Sequence, residues 1–379
     1  MRKKINIFAF ALSIIVFIVS YLYYSYFSES LNEYEWESVK GFARIIIPDT
    51  FVYLKIIDYS DFINSILLAG LKNSFGPSYI WYITKGEWVK VLFINSFIIF
   101  IGLIYFSKIS EIYNIPKLKK YLLLVLLALQ PATIYYSIGA LKEIPSLTLL
   151  LGFFYHYLKK ERVRWVFYLF MSFIFRYQIG VAILLFVFVD LFKESSFYVT
   201  IISLLMVSIF FPFIKSIYIF SNNDTESYRA CYGTQDSFGG VIESVRDTMP
   251  IISAFAVFIR VIQDIFEPFF YFIRDQSFSE NGDISVILIV NYVSSLLTLY
   301  FWLIFFYNTI ILIKNNVNPV INNLRLFTLS LIAIIPVAGF SFIHHRYLYP
   351  FIGLILLAGS ISVNNKHISE NIDEYILKS

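Results

Sequence analysis

Charge is scarce in this chain. Of its 379 residues, only 15% are Asp, Glu, Lys or Arg, where a soluble domain carries about a quarter. Sulfur is scarcer still: Cys231 is the sole cysteine, which excludes an intrachain disulfide and a cysteine-rich metal site. The four histidines show no His/Cys clustering of the kind a metal needs. Glycine-rich phosphate loops and an ordered Ser, His and Asp set are absent, which removes the nucleotide-loop and serine-hydrolase frameworks. No internal repeat, low-complexity tract or soluble domain is visible. The formal net charge of +4 is not a nucleic-acid footprint, because the basic residues lie in short loops between apolar runs.

What remains is apolar. Hydrophobic residues make up 58% and aromatic residues 20%, with a mean hydropathy of +0.71. About ten stretches are long and apolar enough to cross a bilayer. The first, 5–27, follows Arg2-Lys3-Lys4 and is too long for a signal-peptide core. Further spans are expected over 88–107, 121–136, 144–158, 197–220, 285–313, 326–343 and 348–363. The stretch 165–192 reads as two short legs broken at Arg176-Tyr177-Gln178, or as one kinked crossing. Just over half of the Lys and Arg fall in short segments on one side, such as those around 108–120 and 159–164. The positive-inside bias makes that side cytoplasmic and places both termini there. The expected fold class is all-α: a polytopic membrane helical bundle forming one domain over 1–363, with a polar cytoplasmic tail over 364–379.

The opposite, outer side holds two long segments, about 28–87 and 221–284. Long loops on a rigid scaffold are where function concentrates. Both contain amphipathic stretches suited to helices at the membrane interface, 51–70 among them. In the second segment Arg260, Asp264, Glu267, Tyr271 and Arg274 share one helical face. That face is either a solvated stripe with Arg260 and Asp264 paired, or the lining of a cavity above the bundle. The same segment holds Arg229, Arg246, Arg260 and Arg274 and no lysine. Guanidinium grips phosphate oxygens bidentately and is more easily desolvated than ammonium, so this pattern suggests a lipid-linked phosphate or pyrophosphate.

Ionisable residues at membrane depth are costly and therefore candidates for function. Lys142-Glu143 closes the hairpin between two short spans, either as a local ion pair or as part of a site. Arg176 interrupts an apolar stretch, either as a structural arginine paired with Glu143 or as a ligand-binding group. His344-His345-Arg346-Tyr347 lies at the last outer turn, as a plain polar turn or as part of the same site. Together with the arginine-bearing loop these residues converge on one face. A sugar transfer there needs a base for the acceptor hydroxyl. Asp49, which follows Pro48, is one candidate, against a simple helix N-cap; His344 and His345 are the others. His156, near the cytoplasmic end of its span, reads as an interfacial residue.

With these residues in view the chain resembles bacterial polysaccharide-assembly membrane proteins: the O-antigen polymerase (Wzy-type) group and the broader GT-C glycosyltransferases. Arg229 and Gly240 are similar to an Arg-x10-Gly spacing of some such polymerases. Pro48-Asp49-Thr50-Phe51-Val52-Tyr53 looks like a Pro-Asp-x-x-x-Tyr element of GT-C enzymes. Pro131, Lys142-Glu143, Arg176 and Arg346-Tyr347-Leu348-Tyr349-Pro350 follow an order similar to that in membrane proteins of polysaccharide clusters. The resemblance implies a bacterial inner-membrane location and a polyprenyl-pyrophosphate-linked glycan donor. It also implies a second glycan as acceptor, catalysis on the periplasmic face, and a chain-length regulator and a flippase as partners in lipopolysaccharide or capsule assembly. It implies no cofactor beyond a divalent metal at Asp49, for which no second ligand motif is present. A one-sugar GT-C transferase, a lipid-linked oligosaccharide flippase and a structural or acyl-transferring membrane protein remain as alternatives.

Overall fold

The computed structural model describes residues 2–32, 75–139, 141–192, 321–332 and 349–361, with parts of 198–203 and 293–311. It is mostly helical there. The helices are α1 (Arg2–Asn32), α2 (Phe75–Thr84), α3 (Trp88–Ile112), α4 (Lys117–Leu129), α5 (Pro131–Ser137), α6 (Glu143–Leu158), α7 (Arg162–Phe175), α8 (Tyr177–Asp190), α9 (Ile321–Ile332) and α10 (Ile352–Ser360), the last preceded by a 3-10 turn at Tyr349–Phe351. Among the described residues, α1 and α3 are each long and apolar enough to cross a membrane. The pair α4–α5, bent by 45°, makes a third crossing if counted as one.

Local chemistry sets the breaks. Pro131 opens α5 at its first position and Gln130 before it is extended, as a residue ahead of proline must be. The α3 helix closes on Asn114 in the left-handed region (φ 51°), with Ile115 N–H donating to Ser110 O at 3.0 Å. Lys160 (φ 57°) does the same for α6, with Glu161 N–H donating to His156 O at 3.0 Å. These six-to-one bonds satisfy carbonyls that a helix end would leave orphaned.

Helix α6 is the central element, buried along nearly its whole length and packed by α3, α7 and α10. Gly102 on α3 lets α6 approach: a Cβ there would lie 2.6 Å from Thr148 Oγ1. Thr148 in turn donates to Ile98 O on α3 at 2.9 Å. Close backbone approach through a small residue is how helices gain dispersion energy in lipid, where the hydrophobic effect supplies little.

The contacts order the bundle between two polar ends, named here for His156 and Glu143. Phe8 packs on Tyr121 at one end of α1, and Ser20 Oγ donates to Ile134 O toward the other, so α1 and α4–α5 run the same way. Helices α3 and α6 run opposite to them and parallel to each other, with Ile98 beside Thr148 and Tyr105 beside His156.

Residues 165–192, expected as two legs or one kinked crossing, fold as a hairpin. Arg176 is the single extended residue between α7 and α8 (φ −160°, ψ 97°). Its side chain meets Glu143 at the start of α6, whereas Asp190 at the end of α8 meets Tyr157 at the end of α6. The two legs therefore run in opposite senses along α6. Each has 14 residues, about 21 Å of helix, short of a hydrocarbon core of roughly 30 Å.

The stretch 28–87, expected as an outer loop with amphipathic helices, is described only over 28–32 and 75–87, and the amphipathic stretch 51–70 lies outside the described residues. Its described part contains α2, an apolar helix packed on α3 and α7. Trp81 is fully buried and stands edge-on to Trp88 at 4.8 Å. At 10 residues, α2 is too short to show as a span, which is why hydropathy alone leaves it in a loop. The span expected over 88–107 likewise continues to Ile112.

Candidate functional site

At the Glu143 end a charged pair is buried inside the bundle. Glu143 occupies the first turn of α6, where the helix dipole favours a carboxylate. Arg176 Nη1 lies 3.3 Å from Glu143 Oε1, with Glu143 0% and Arg176 4% exposed. The parallel register of α3 and α6 puts Glu143 level with about Phe93, some 8 Å below the start of α3. The pair is thus recessed in the bundle and covered on one side by α2, whose Gly76 abuts the Phe175 ring.

Polar groups converge around it. Asn95 Nδ2 donates to Ser137 O and to Gly139 O, both at 2.8 Å, tethering the turn that leads to Lys142. Tyr349 OH donates to Thr133 Oγ1 at 2.8 Å, and Thr133 passes its own proton to Leu127 O. Tyr136 stands edge-on to Tyr349 at 4.9 Å. Two buried atoms at this end, Asn95 Oδ1 on α3 and Ser146 Oγ on α6, have no hydrogen-bond partner among the described residues. Orphaned polar atoms inside a protein call for water or a ligand hydroxyl. Because Glu143 already neutralises Arg176, the set as folded suits a neutral, hydroxyl-bearing ligand. Arg176 grips a phosphate only if the pair opens.

Of the residues expected to form a site, the structure brings Glu143 and Arg176 together and puts Lys142 beside them at the cap of α6. The pairing of Arg176 with Glu143 is the structural alternative anticipated for that arginine. Asp49, Arg229, Arg246, Arg260, Arg274, His344, His345 and Arg346 lie outside the described residues. Among the described residues no group of three or more His, Cys, Asp or Glu could hold a metal ion.

The opposite end holds networks that the reading of the sequence missed. His156, expected at the interface, is 5% exposed. Its Nδ1 is 2.6 Å from Glu161 Oε2, which places the ring proton there and leaves Nε2 to accept from Tyr105 OH at 3.3 Å. Burial raises the Glu161 carboxyl, but its bonds to His156 and Arg164 outweigh that and hold it below the usual carboxylate range. Beside this network, Asp190 accepts from Tyr157 OH at 2.6 Å and from Arg325 Nε at 2.8 Å. That cluster ties α6 and α8 to α9. A signal for Asp190 existed, since it is a lone carboxylate at the end of an apolar leg, and the rule that flagged Arg176 applies to it equally. Comparison of the chain with protein-family models, with curated proteins and with solved structures finds no match.

Proposed function

We propose that this protein is an integral-membrane glycosyltransferase of the polysaccharide-polymerase type, joining polyprenyl-pyrophosphate-linked oligosaccharides on the outer face of a bacterial inner membrane. In this reading the chain crosses the membrane about ten times, both termini are cytoplasmic, and the Glu143 end faces outward. The observation that carries the reading is the recessed Glu143–Arg176 pair flanked by the orphaned Asn95 Oδ1 and Ser146 Oγ. A charged, hydroxyl-seeking recess in a greasy bundle fits a sugar on a lipid carrier better than a soluble substrate.

The reaction is displacement at the anomeric carbon. The acceptor oxygen forms its bond to that carbon as the bond to the donor's phosphate oxygen breaks. Asp49, His344 or His345 takes the acceptor proton, and Arg229, Arg246, Arg260, Arg274 and Arg346 stabilise the departing pyrophosphate. Deleting the gene and resolving surface polysaccharide by size tests this. A product one repeat long supports the reading, and unchanged chain lengths overturn it.

A flippase for lipid-linked oligosaccharide is the second reading. It is favoured by the hairpin of short helices α7 and α8 and by the helix break at Gln130, since transporters build sites from discontinuous helices. Total loss of surface glycan in the same experiment points to it or to an earlier transferase.

A further inference from the structure

We propose that the His156 end of the bundle carries a binding surface for acidic phospholipid headgroups, formed by Lys117-Leu118-Lys119 at the start of α4 and Arg162-Val163-Arg164 at the start of α7. The proposal does not depend on the reaction assigned to the opposite end.

Each helix opens with an apolar residue between two cations, and all four cations are exposed. Leu118 is 84% and Val163 85% exposed, more than any other large hydrophobic side chain among the described residues. Neither is isolated. Leu118 heads an exposed stripe continued one turn on by Leu122, and Val163 heads one continued by Val166, Phe167 and Phe170. In a membrane bundle such stripes face hydrocarbon, so their first residues mark the acyl boundary. The flanking Lys and Arg extend from that boundary to the depth of headgroup phosphates.

The two openings belong to one end of the molecule. Lys108, near the end of α3, lies over the Tyr155 ring of α6 at 5.1 Å, and α4 and α7 each begin just beyond those ends. Exposed Lys160 adds to the same surface. The acids nearby are engaged behind it: Glu111 pairs with Lys120 at 3.1 Å, and Glu161 takes His156 and Arg164. Lys119 also donates to Ser360 O at 2.6 Å, which fixes its direction. Among the described residues no acid pairs with Lys117, Lys160 or Arg162. Lys117 and Arg162 do not serve their own helices, whose first turns contain no acid and whose dipoles disfavour positive charge there. An anionic surface removes that penalty. Positive charge alone would orient the chain; an apolar side chain set between paired cations at the acyl boundary adds a grip on a particular class of lipid.

The test uses the full-length protein in neutral detergent, titrated with phosphatidylglycerol, phosphatidylcholine or inorganic phosphate while the thermal unfolding midpoint is followed. Phosphatidylglycerol should raise the midpoint and the other two should not, with added salt suppressing the rise. K117Q/R162Q should raise the phosphatidylglycerol concentration needed for the response about fivefold per cation removed. The charge-conserving K117R/R162K should keep it, and K85Q/K90Q at the other end should leave it unchanged. An equal rise with phosphatidylcholine or free phosphate overturns the proposal, as does an undiminished response in K117Q/R162Q. If K117Q/R162Q does not fold, loss of the response in K117R/R162K overturns it and retention supports it.

Discussion

Arg176→Met separates the structural from the functional role of the buried pair. Glu143 is 0% and Arg176 4% exposed, so solvent screens neither, and removing the guanidinium takes a paired cation from a buried carboxylate. Breaking a buried pair from one side costs about 3–5 kcal/mol. Replacing both charges, as in Glu143→Leu with Arg176→Met, removes the desolvation penalty along with the attraction. It should return stability to within about 1 kcal/mol of wild type. Unfolding in mixed micelles can be followed by the fluorescence of Trp81 and Trp88, which stand edge-on at 4.8 Å at the same end. Reasoning from burial fails if the single variant unfolds like wild type, or if the double variant is no more stable than the single. Glycan length in cells carrying the double variant then decides the role. A refolded bundle that makes normal polymer assigns the pair to architecture, and one that makes none assigns it to the site.

Three further outcomes follow from the packing. Gly102→Ala places a Cβ 2.6 Å from Thr148 Oγ1, pushing α3 from α6, and should cost about 1–3 kcal/mol in the same unfolding measurement. Asp190→Ala strips Arg325 Nε and Tyr157 OH of their shared acceptor; a loss of about 2–4 kcal/mol is expected, with new proteolytic cleavage near α9. Glu161 titrates below its ordinary 4.5 in the folded protein. Its contacts therefore contribute fully above the unfolded value and are lost as pH falls through the lowered folded one. Stability should decline below about pH 4.5, and Glu161→Gln should flatten that decline; the amplitude is small because the carboxyl is partly solvated.

The helical class and the apolar spans at α1 and α3 were legible because hydropathy over some twenty residues marks a segment able to cross a membrane. The break at Arg176 was legible for a related reason, a cation in an apolar run being too costly to be incidental. Helix α2 escaped because ten residues fall below any span threshold. Asp190 escaped because its partners Tyr157 and Arg325 lie 33 and 135 positions away, and the burial of His156 escaped because, beside the local Glu161, it bonds to Tyr105, 51 positions away. Polar residues that look interfacial in a linear reading become buried when another helix supplies the missing bond.

By itself, then, the amino-acid order determined where this chain prefers lipid to water, where its cations gather and which charges would need a reason to be there. Those are one-dimensional properties, set by transfer free energies of short segments. Only the tertiary structure decided that α7 and α8 fold back as a hairpin rather than run on. It alone chose between the readings left open for Arg176, setting its guanidinium against Glu143, and left Asn95 Oδ1 and Ser146 Oγ without a partner among the described residues. Pairings of that kind depend on which helix faces meet, and the close approach at Gly102 fixes that through packing between residues that are distant in the chain.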